Sequence, residues 1–337
     1  MKSKFRYSLE NFRGVAIIFV MFSHIMSIRN LGTFGNVFNY LVGDATAWFI
    51  FISGYLFYYL EVNKFKYSDY LGKKIKFVVL PYLILSIPII LFWIYSSQHV
   101  MYGLTALQYF FWSLVAGGIV VGPMWFIPMI FIFFLLTPIF NVLSKKKIIY
   151  IFVVVSMVFS LFSSRSIYNA NPIFSFLHFL GFYLLGIVAA KNAAILEALK
   201  TSTKIMLIAI AIFVFIVFGW LCPDIDAMPS SFLAGLGVMN YILVGKLALL
   251  GAIFLFFERF FERPNKFLGY FAKISFGLFF IHGFMSVIFQ ILSRDIHYAS
   301  PLLRLTCEIG LVVFVSVAVV FVLKKLLGKW SRYVIGC

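Results

Sequence analysis

Long apolar segments, separated by short polar ones, repeat along the whole chain. Each segment is close to the roughly 20 residues that an α-helix needs to cross a bilayer, whereas membrane β-strands would alternate apolar and polar side chains over about ten residues. The approximate limits of these spans are 11–29, 41–60, 77–95, 124–143, 147–163, 173–190, 204–221, 239–257, 272–292 and 303–323. The pattern predicts an all-α, polytopic membrane protein with about ten transmembrane helices.

The composition agrees with lipid as the surrounding solvent. Apolar residues make up 63% of the 337 positions and charged residues 12%, whereas soluble domains average about 45–50% and 25%. No soluble domain or internal repeat interrupts the pattern, so we expect one integral-membrane domain over residues 1–337. The Gly-rich stretch 106–121 is short, and we expect it to lie in the interface or to re-enter the membrane.

The positive charge is concentrated between the apolar segments. The formal net charge is +17, and with ten spans 22 of the 28 Lys and Arg residues fall on the side that carries both termini, four on the opposite side and two within spans. An excess of Lys and Arg marks the cytoplasmic side of a membrane protein. We therefore expect a protein of the plasma (inner) membrane with cytoplasmic N- and C-termini. The lipid bilayer is the expected partner, and no nucleic-acid partner is predicted.

The first predicted span carries two ionisable residues, Arg13 and His24. Inserting an ionisable side chain costs roughly 2.5–3.5 kcal/mol, so its presence indicates a specific role. The residues are eleven positions apart, which in an α-helix places them on nearly the same face and about 16 Å apart. Two interpretations remain open. Either Arg13 extends to the headgroups and His24 bonds a main-chain carbonyl, or both belong to an active site.

Asp44 lies at the outer end of the second predicted span, at a depth similar to that of His24. A carboxylate beside an imidazole fixes one tautomer and raises its basicity, as a general base requires. Asp is also a favoured N-terminal cap of a helix, and the two roles are compatible. The sequence thus predicts His24 as a catalytic base that Asp44 orients.

Three lysines, Lys73, Lys74 and Lys76, precede the third predicted span. A basic cluster in this position is typical of a topology anchor on the cytoplasmic side. With Arg13 at the same level of the membrane, the cluster is also suited to bind the phosphates of a nucleotide-bearing donor.

Other polar features within predicted spans have a structural and a functional interpretation. The small pair Ser53-Gly54 favours close helix packing or, alternatively, lines a substrate tunnel. His282 lies near mid-membrane, where a structural or a catalytic role is open, and Lys246 and Glu308 lie at matching depths, which predicts a structural ion pair. The three cysteines lack metal-ligand spacing, so no metal site is predicted.

Taken in order, these motifs resemble the acyltransferase-3 family of bacterial membrane acyltransferases, over nearly the whole chain. The pieces that carry the resemblance are Arg13-Gly14-Val15-Ala16 followed by His24, Phe49 through Tyr55, the basic run that ends at Pro81-Tyr82, Met124-Trp125-Phe126 with Pro138, and Ser275 through His282. The third span departs from the family, which often carries two arginines three residues apart there. Phe77 stands at one of the expected basic positions.

The resemblance implies a catalytic role for His24, with Arg13 as its partner on the same helix. Our predicted catalytic set is His24, Asp44, Arg13 and His282, and the predicted donor-binding set is Arg13, Lys73, Lys74 and Lys76. The residues assigned to a substrate tunnel are Ser53, Tyr55, Tyr82 and Trp125. Many relatives carry a fused extracytoplasmic domain, so we expect the membrane domain itself or a separate extracytoplasmic partner to complete the transfer.

The resemblance further implies an O-acyltransferase that transfers groups other than amino-acyl groups. Its donor substrate would be acetyl-CoA or another acyl-CoA, no cofactor would be bound permanently, and its acceptor would be a hydroxyl of an envelope sugar or polysaccharide. The alternative is a transporter or flippase for an envelope glycan or its lipid-linked precursor, because broken helices and buried charges also mark substrate pathways.

Overall fold

The computed structural model describes residues 5–118, 121–163, 165, 169–221 and 240–337. Within these residues the protein is all-α, as the sequence predicted. The α-helices are α1 (Tyr7–Ser23), α2 (Gly32–Val42), α3 (Thr46–Glu61), α4 (Tyr67–Lys74), α5 (Leu80–Tyr95), α6 (Gln98–Met101), α7 (Ala106–Ala116), α8 (Phe126–Leu135), α9 (Thr137–Lys145), α10 (Ile149–Phe162), α11 (Pro172–Lys191), α12 (Ala193–Ala198), α13 (Thr201–Leu221), α14 (Tyr241–Phe260), α15 (Lys266–Leu292), α16 (Pro301–Ile309), α17 (Ser316–Leu327) and α18 (Ser331–Val334).

Irregular turns join several of these helices. Two π-helical segments, Ile75–Val79 and Gly310–Val315, continue α4 into α5 and α16 into α17. The hydrogen bond of a π-helical turn encloses one residue more than that of an α-helical turn, and such turns are frequent at functional sites. Short 3₁₀ segments cover Met26–Leu31, Val62–Lys64, Gly122–Trp125 and Gly328–Trp330.

The membrane-spanning character is confirmed, and the count of about ten spans is approximate. Among the described residues, seven helices are long and apolar enough to cross a membrane, or eight if the broken helix formed by α8 and α9 is one span. Two of the ten predicted spans, 11–29 and 147–163, correspond to α1 and α10, which have only 17 and 14 residues. They are shorter than a span of roughly 20 residues because α1 ends at Ser23 and α10 at Phe162.

The chain divides into two compact units that alternate along the sequence. The first unit comprises Met1–Phe65, Ile139–Ser164 and Leu177–Ser275, and the second comprises Lys66–Pro138, Arg165–Phe176 and Phe276–Cys337. The single domain expected over residues 1–337 stays a prediction.

In the first unit, α3 and α11 pack backbone against backbone. A Cβ atom at Gly54 would lie 2.0 Å from the carbonyl oxygen of Tyr183, and one at Gly186 would lie 2.0 Å from the carbonyl oxygen of Phe51. Only glycine fits at either position, since small residues are what lets two membrane helices approach so closely. For Gly54, the packing interpretation of the Ser53-Gly54 pair is therefore confirmed.

In the second unit, side chains of α5 bond the segments that follow it. The hydroxyl of Tyr82 donates to the carbonyl oxygen of Leu114 at 2.7 Å, and the hydroxyl of Ser86 donates to the sulfur of Met124 at 3.2 Å. Both α5 residues are buried. These bonds fix α5 against α7 and the turn before α8.

Candidate active site

α1 and α3 run antiparallel in the first unit, with their aromatic side chains in contact. Near the start of α1, Arg6 donates a hydrogen bond to the hydroxyl of Tyr55, and farther along α1 the ring of Phe19 lies 4.9 Å from that of Trp48. His24 follows Phe19 by five residues and Asp44 precedes Trp48 by four. At about 1.5 Å per residue, His24 and Asp44 therefore lie at the same end of the helix pair and at similar depth.

His24 is the C-terminal cap residue of α1 and follows the last helical residue, Ser23. Its main-chain N–H donates to the carbonyl oxygen of Met21 at 3.2 Å, and its side chain is half-buried. The chain continues as the 3₁₀ segment Met26–Leu31. The imidazole is thus carried on a helix end with partial access to the surroundings, which is where a group that exchanges protons with a substrate must lie.

Asp44 lies in the turn between α2 and α3 with a left-handed backbone, at φ 58°. Its carbonyl oxygen accepts a hydrogen bond from the N–H of Ala47 at 2.8 Å, while Ala45 is the N-terminal cap residue of α3. The interpretation of Asp44 as the cap residue is therefore wrong. A positive φ at a non-glycine residue is uncommon and clusters at functional sites.

The side chain of Lys246 on α14 anchors this turn. Its ammonium group donates to the carbonyl oxygens of Tyr40 and Gly43, the latter at 2.8 Å, and it interacts electrostatically with the neighbouring Asp44. Lys246 is only 4% exposed. A buried charge stabilises a structure only when hydrogen bonds and an opposite charge compensate it, and this turn supplies both.

Tyr40, near the end of α2, packs against α13. Its ring stacks on that of Phe215 at 4.4 Å, and its hydroxyl donates to the carbonyl oxygen of Phe215 at 3.0 Å. Space for this side chain exists only because Gly219 and Gly245 lack side chains, since a Cβ atom at either would overlap the tyrosine. The turn that carries Asp44 is therefore held by both α13 and α14.

Arg13 bonds the main chain of α15. Its Nε donates to the carbonyl oxygen of Ala272 at 3.1 Å, and its Nη2 donates to the same oxygen. The next residue, Gly14, lies so close to Leu268 that a Cβ atom would come within 2.3 Å of the Leu268 carbonyl oxygen. The Arg13-Gly14 pair thus fastens α1 to α15. Its predicted roles in catalysis and donor binding stay predictions.

The acyltransferase-3 family model, described as an acyltransferase domain, matches residues 6–324 and so covers both units. The chain belongs to the acyltransferase-3 family. Neither a curated protein nor a solved structure matches it. Several apolar helices of spanning length together with this family make the protein an integral-membrane acyltransferase.

The residues assigned to a substrate tunnel are largely buried in this acyltransferase. Tyr55 has no exposed surface and Trp125 is 6% exposed. The guanidinium of Arg165 lies 5.5 Å from the centre of the Trp125 ring. Ser53 and Tyr55 belong to the first unit, while Tyr82 and Trp125 belong to the second. The tunnel stays a prediction.

The predicted lysine cluster of the acyltransferase points in more than one direction. Lys73 is exposed, whereas the ammonium of Lys74 lies 5.1 Å from the centre of the Tyr70 ring and 4.8 Å from that of Phe134. The ammonium of Lys76 lies 5.1 Å from the ring of Tyr333. Lys74 is the last residue of α4 and Lys76 lies in the π-helical segment, so the change of helix type directs the two side chains to different partners.

Phe77, at the position where the sequence lacks an expected basic residue, also faces a cation. The guanidinium of Arg332 lies 3.9 Å from the centre of the Phe77 ring. Arg332 lies beyond the range matched by the family model and was missed by sequence reasoning. No sequence signal connects residues so far apart in the chain.

His282 is fully buried in α15, where its Nδ1 lies 2.7 Å from the carbonyl oxygen of Leu278 on the same helix. A carbonyl oxygen only accepts, so Nδ1 is the donor in this contact. This bond to the preceding helical turn fits the structural interpretation of His282. A catalytic role for it stays a prediction.

Arg6 connects the start of α1 to several other helices of the first unit and was also missed. Its guanidinium donates to the hydroxyl of Tyr55 and forms an ion pair with Glu197. The Nη1 atom of Arg6 also lies 3.4 Å from a carboxylate oxygen of Glu258. Burial alone would lower the pKa of Arg6, but Glu258 and Tyr55 raise it above the ordinary value. A cavity of about 610 Å³ beside Arg6 is lined by these two glutamates and by Glu262. Its excess of carboxylates disfavours phosphate groups.

The hydrogen-bond partners of Lys246 include two main-chain carbonyl groups that the sequence did not predict. Main-chain carbonyls satisfy its ammonium group, and carbonyls carry no signal in the sequence. Glu308 is buried and belongs to the second unit, so its pairing with Lys246 stays a prediction.

Proposed function

We propose that this acyltransferase transfers an acyl group, in the simplest case acetyl, from acyl-CoA to a hydroxyl of an envelope sugar or polysaccharide. The observation that carries the proposal is the placement of His24 and Asp44 at one end of the α1–α3 pair, with Asp44 on a turn that a buried lysine anchors. A helix end with an imidazole and a carboxylate at the same depth is suited to proton transfer.

The proposed chemistry needs one base. A sugar hydroxyl is a poor nucleophile at neutral pH, and His24 accepts its proton while the hydroxyl oxygen attacks the thioester carbonyl carbon. The new C–O bond forms as the C–S bond breaks. The departing thiolate takes the proton from the imidazolium, which gives the free thiol of coenzyme A and restores neutral His24.

Asp44 and Lys246 support His24 in this scheme. The Asp44 carboxylate orients the imidazole and stabilises the imidazolium that forms during transfer. Lys246 interacts electrostatically with Asp44 and bonds the carbonyl oxygen of the preceding residue, Gly43. Lys246 therefore places a positive charge near the carboxylate and limits the movement of its main chain.

The proposed donor side lies among the basic residues of α4 and the π-helical segment that follows it. Lys73 and Lys76 are exposed, and phosphate oxygens accept strong charge-assisted hydrogen bonds from such groups. We place the protein in the plasma (inner) membrane with both termini in the cytoplasm, where acyl-CoA is available. The excess of basic residues on that side supports this orientation.

The test is mass spectrometry of envelope glycans from cells that have or lack the protein. Loss of an acyl mass from an otherwise intact glycan, restored by the wild-type chain but not by His24→Ala, is the result we expect. Loss of the whole glycan from the cell surface would overturn the proposal in favour of transport.

Purified protein gives the direct test. Reconstituted protein should release the free thiol of coenzyme A from acetyl-CoA only when a sugar acceptor is present. Unchanged donor in the presence of envelope glycans of the source cell would contradict acyl-CoA as the donor.

A further inference from the structure

The short helix α18 packs two aromatic rings and a guanidinium against the π-helical segment Ile75–Val79. The guanidinium of Arg332 lies 3.9 Å from the centre of the Phe77 ring, and the rings of Phe77 and Tyr333 are 5.4 Å apart. The ammonium of Lys76 lies 5.1 Å from the Tyr333 ring. Two cations are thus held on adjoining aromatic surfaces of the second unit.

Within the described residues, neither cation is paired with an acidic side chain. Both Lys76 and Arg332 are exposed, and in the part of the chain that the structure describes neither forms an ion pair with a carboxylate within 4.0 Å. Contact with an aromatic face occupies the flat side of a guanidinium and leaves the N–H groups at its edge available. These edges match the oxygens of a phosphate group in a bidentate manner.

An exposed aromatic side chain lies next to the cations. The indole of Trp330 is 62% exposed, and its ring lies 5.7 Å from that of Tyr333. Planar bases stack on such rings with a favourable energy, whereas the phosphate of a lipid headgroup brings no base with it. The combination of uncompensated cations and an exposed aromatic ring therefore favours a nucleotide over a lipid.

We propose that Arg332 and Lys76 bind the phosphate groups of the acyl-CoA donor at its nucleotide end, with the base beside Trp330. This inference rests on the proposed function, because it assigns the donor of that reaction to this surface. Arg332 lies outside residues 6–324, so the family match does not include it. The surface formed by Lys76, Trp330 and Arg332 holds the part of the donor that does not react.

The test is binding of coenzyme A to the purified protein in phosphatidylcholine nanodiscs. Arg332→Gln should weaken binding by about tenfold or more, since a charge-assisted bidentate contact is lost, and Arg332→Lys should recover part of it. In turnover assays, the Michaelis constant for acyl-CoA should rise while kcat stays nearly constant, because these contacts are the same in the ground state and the transition state.

The matched control is Lys325→Gln, which removes one exposed positive charge at the end of α17. It should leave coenzyme A binding within about twofold of wild type, since long-range electrostatics alone are screened by salt. An equal loss in this control would overturn the inference. Lys76→Gln is the second test variant and should weaken binding whether or not Arg332→Gln folds.

Other outcomes of the binding experiment distinguish this inference from the proposed function and from lipid binding. If wild-type protein fails to bind coenzyme A, both the proposed donor and this surface are wrong. If wild type binds and Arg332→Gln binds equally well, only the inference about this surface fails. A variant that loses retention of phosphatidylglycerol but keeps its affinity for coenzyme A would assign the surface to a lipid headgroup and overturn the inference.

Discussion

The ammonium group of Lys246 lies 2.8 Å from the carbonyl oxygen of Gly43, so a buried charge on α14 holds the turn that presents Asp44. The same ammonium bonds the carbonyl oxygen of Tyr40 and attracts the carboxylate of Asp44. Asp44 thereby supplies an opposite charge beside the buried ammonium, and Lys246 bonds the main chain next to a residue with a left-handed conformation. In the proposed reaction Lys246 is a positioning residue that acts through Asp44.

The first prediction concerns this anchor. Lys246→Met removes both hydrogen bonds and the positive charge, so we expect acyl transfer per folded molecule to fall at least tenfold. Hydrogen bonds to charged groups contribute about 1.5–3 kcal/mol, and stability should fall as well. Activity and thermal unfolding of the detergent-purified variant measure the two effects.

Lys191→Met is the matched control, because the ammonium of Lys191 also bonds two carbonyl oxygens, those of Ser144 at 2.8 Å and Lys146 at 3.2 Å. It should lower stability while leaving the activity of the folded fraction unchanged. Equal losses of activity in both variants would show that Lys246 serves stability alone.

The second prediction concerns His24. His24→Ala should lower acyl transfer by about 10² to 10⁴-fold, the usual contribution of positioned proton transfer. Membrane insertion should be unaffected, because a small neutral side chain costs little in an apolar helix. His297→Ala, which changes an exposed histidine before α16, is the control and should keep full activity. A loss of less than tenfold in folded His24→Ala would instead direct attention to His282.

The third prediction separates the charge of Asp44 from its backbone strain. Asp44→Gly removes the carboxylate but suits the positive φ, whose left-handed conformation costs L-residues roughly 1 kcal/mol. The relief of backbone strain should offset part of the stability that is lost when the buried Lys246 ammonium loses its opposite charge, and the variant should lose most of its activity. Asp44→Asn keeps the size and should retain partial activity. An active Asp44→Gly variant would contradict the orienting role.

The fourth prediction concerns the contact between α3 and α11. Gly54→Ala places a methyl group 2.0 Å from the carbonyl oxygen of Tyr183, so the two helices must separate. Overpacking of this kind costs typically about 1–3 kcal/mol, and the yield of folded protein should fall. Gly251→Ala on α14 is the control because its added methyl group would meet no atom within 4 Å outside its own stretch of helix. It should be neutral or slightly stabilising, and equal behaviour of the two variants would contradict close packing at Gly54.

The fifth prediction is the orientation in the membrane. Reporter fusions after Lys146 and after Tyr298 should report opposite sides, with the loop at Lys146 in the cytoplasm because of its neighbouring lysines. Reporters on the same side would show that the helices between them do not cross the membrane in the predicted order.

The sequence alone was enough to predict the class of fold and the family. Runs of apolar residues that are long enough to cross a bilayer predict α-helices, because a helix pairs its own main-chain groups and unpaired groups are too costly in hydrocarbon. The motifs around Arg13, His24 and His282 carried the resemblance that the family match over residues 6–324 confirmed. The apolar pattern did not fix the number of spans, because α1 and α10 are apolar but end before the length of a full span.

Only the tertiary structure decided which partners the polar side chains have. Arg13 bonds the carbonyl oxygen of Ala272 and Lys246 bonds that of Gly43, and every residue carries such a carbonyl. Arg332 contacts the ring of Phe77, although the two residues are far apart in the sequence. Composition and periodicity report which face of a helix is apolar. They do not report which main-chain groups a folded chain leaves available to a buried charge, because that depends on where helices end and how closely their backbones approach.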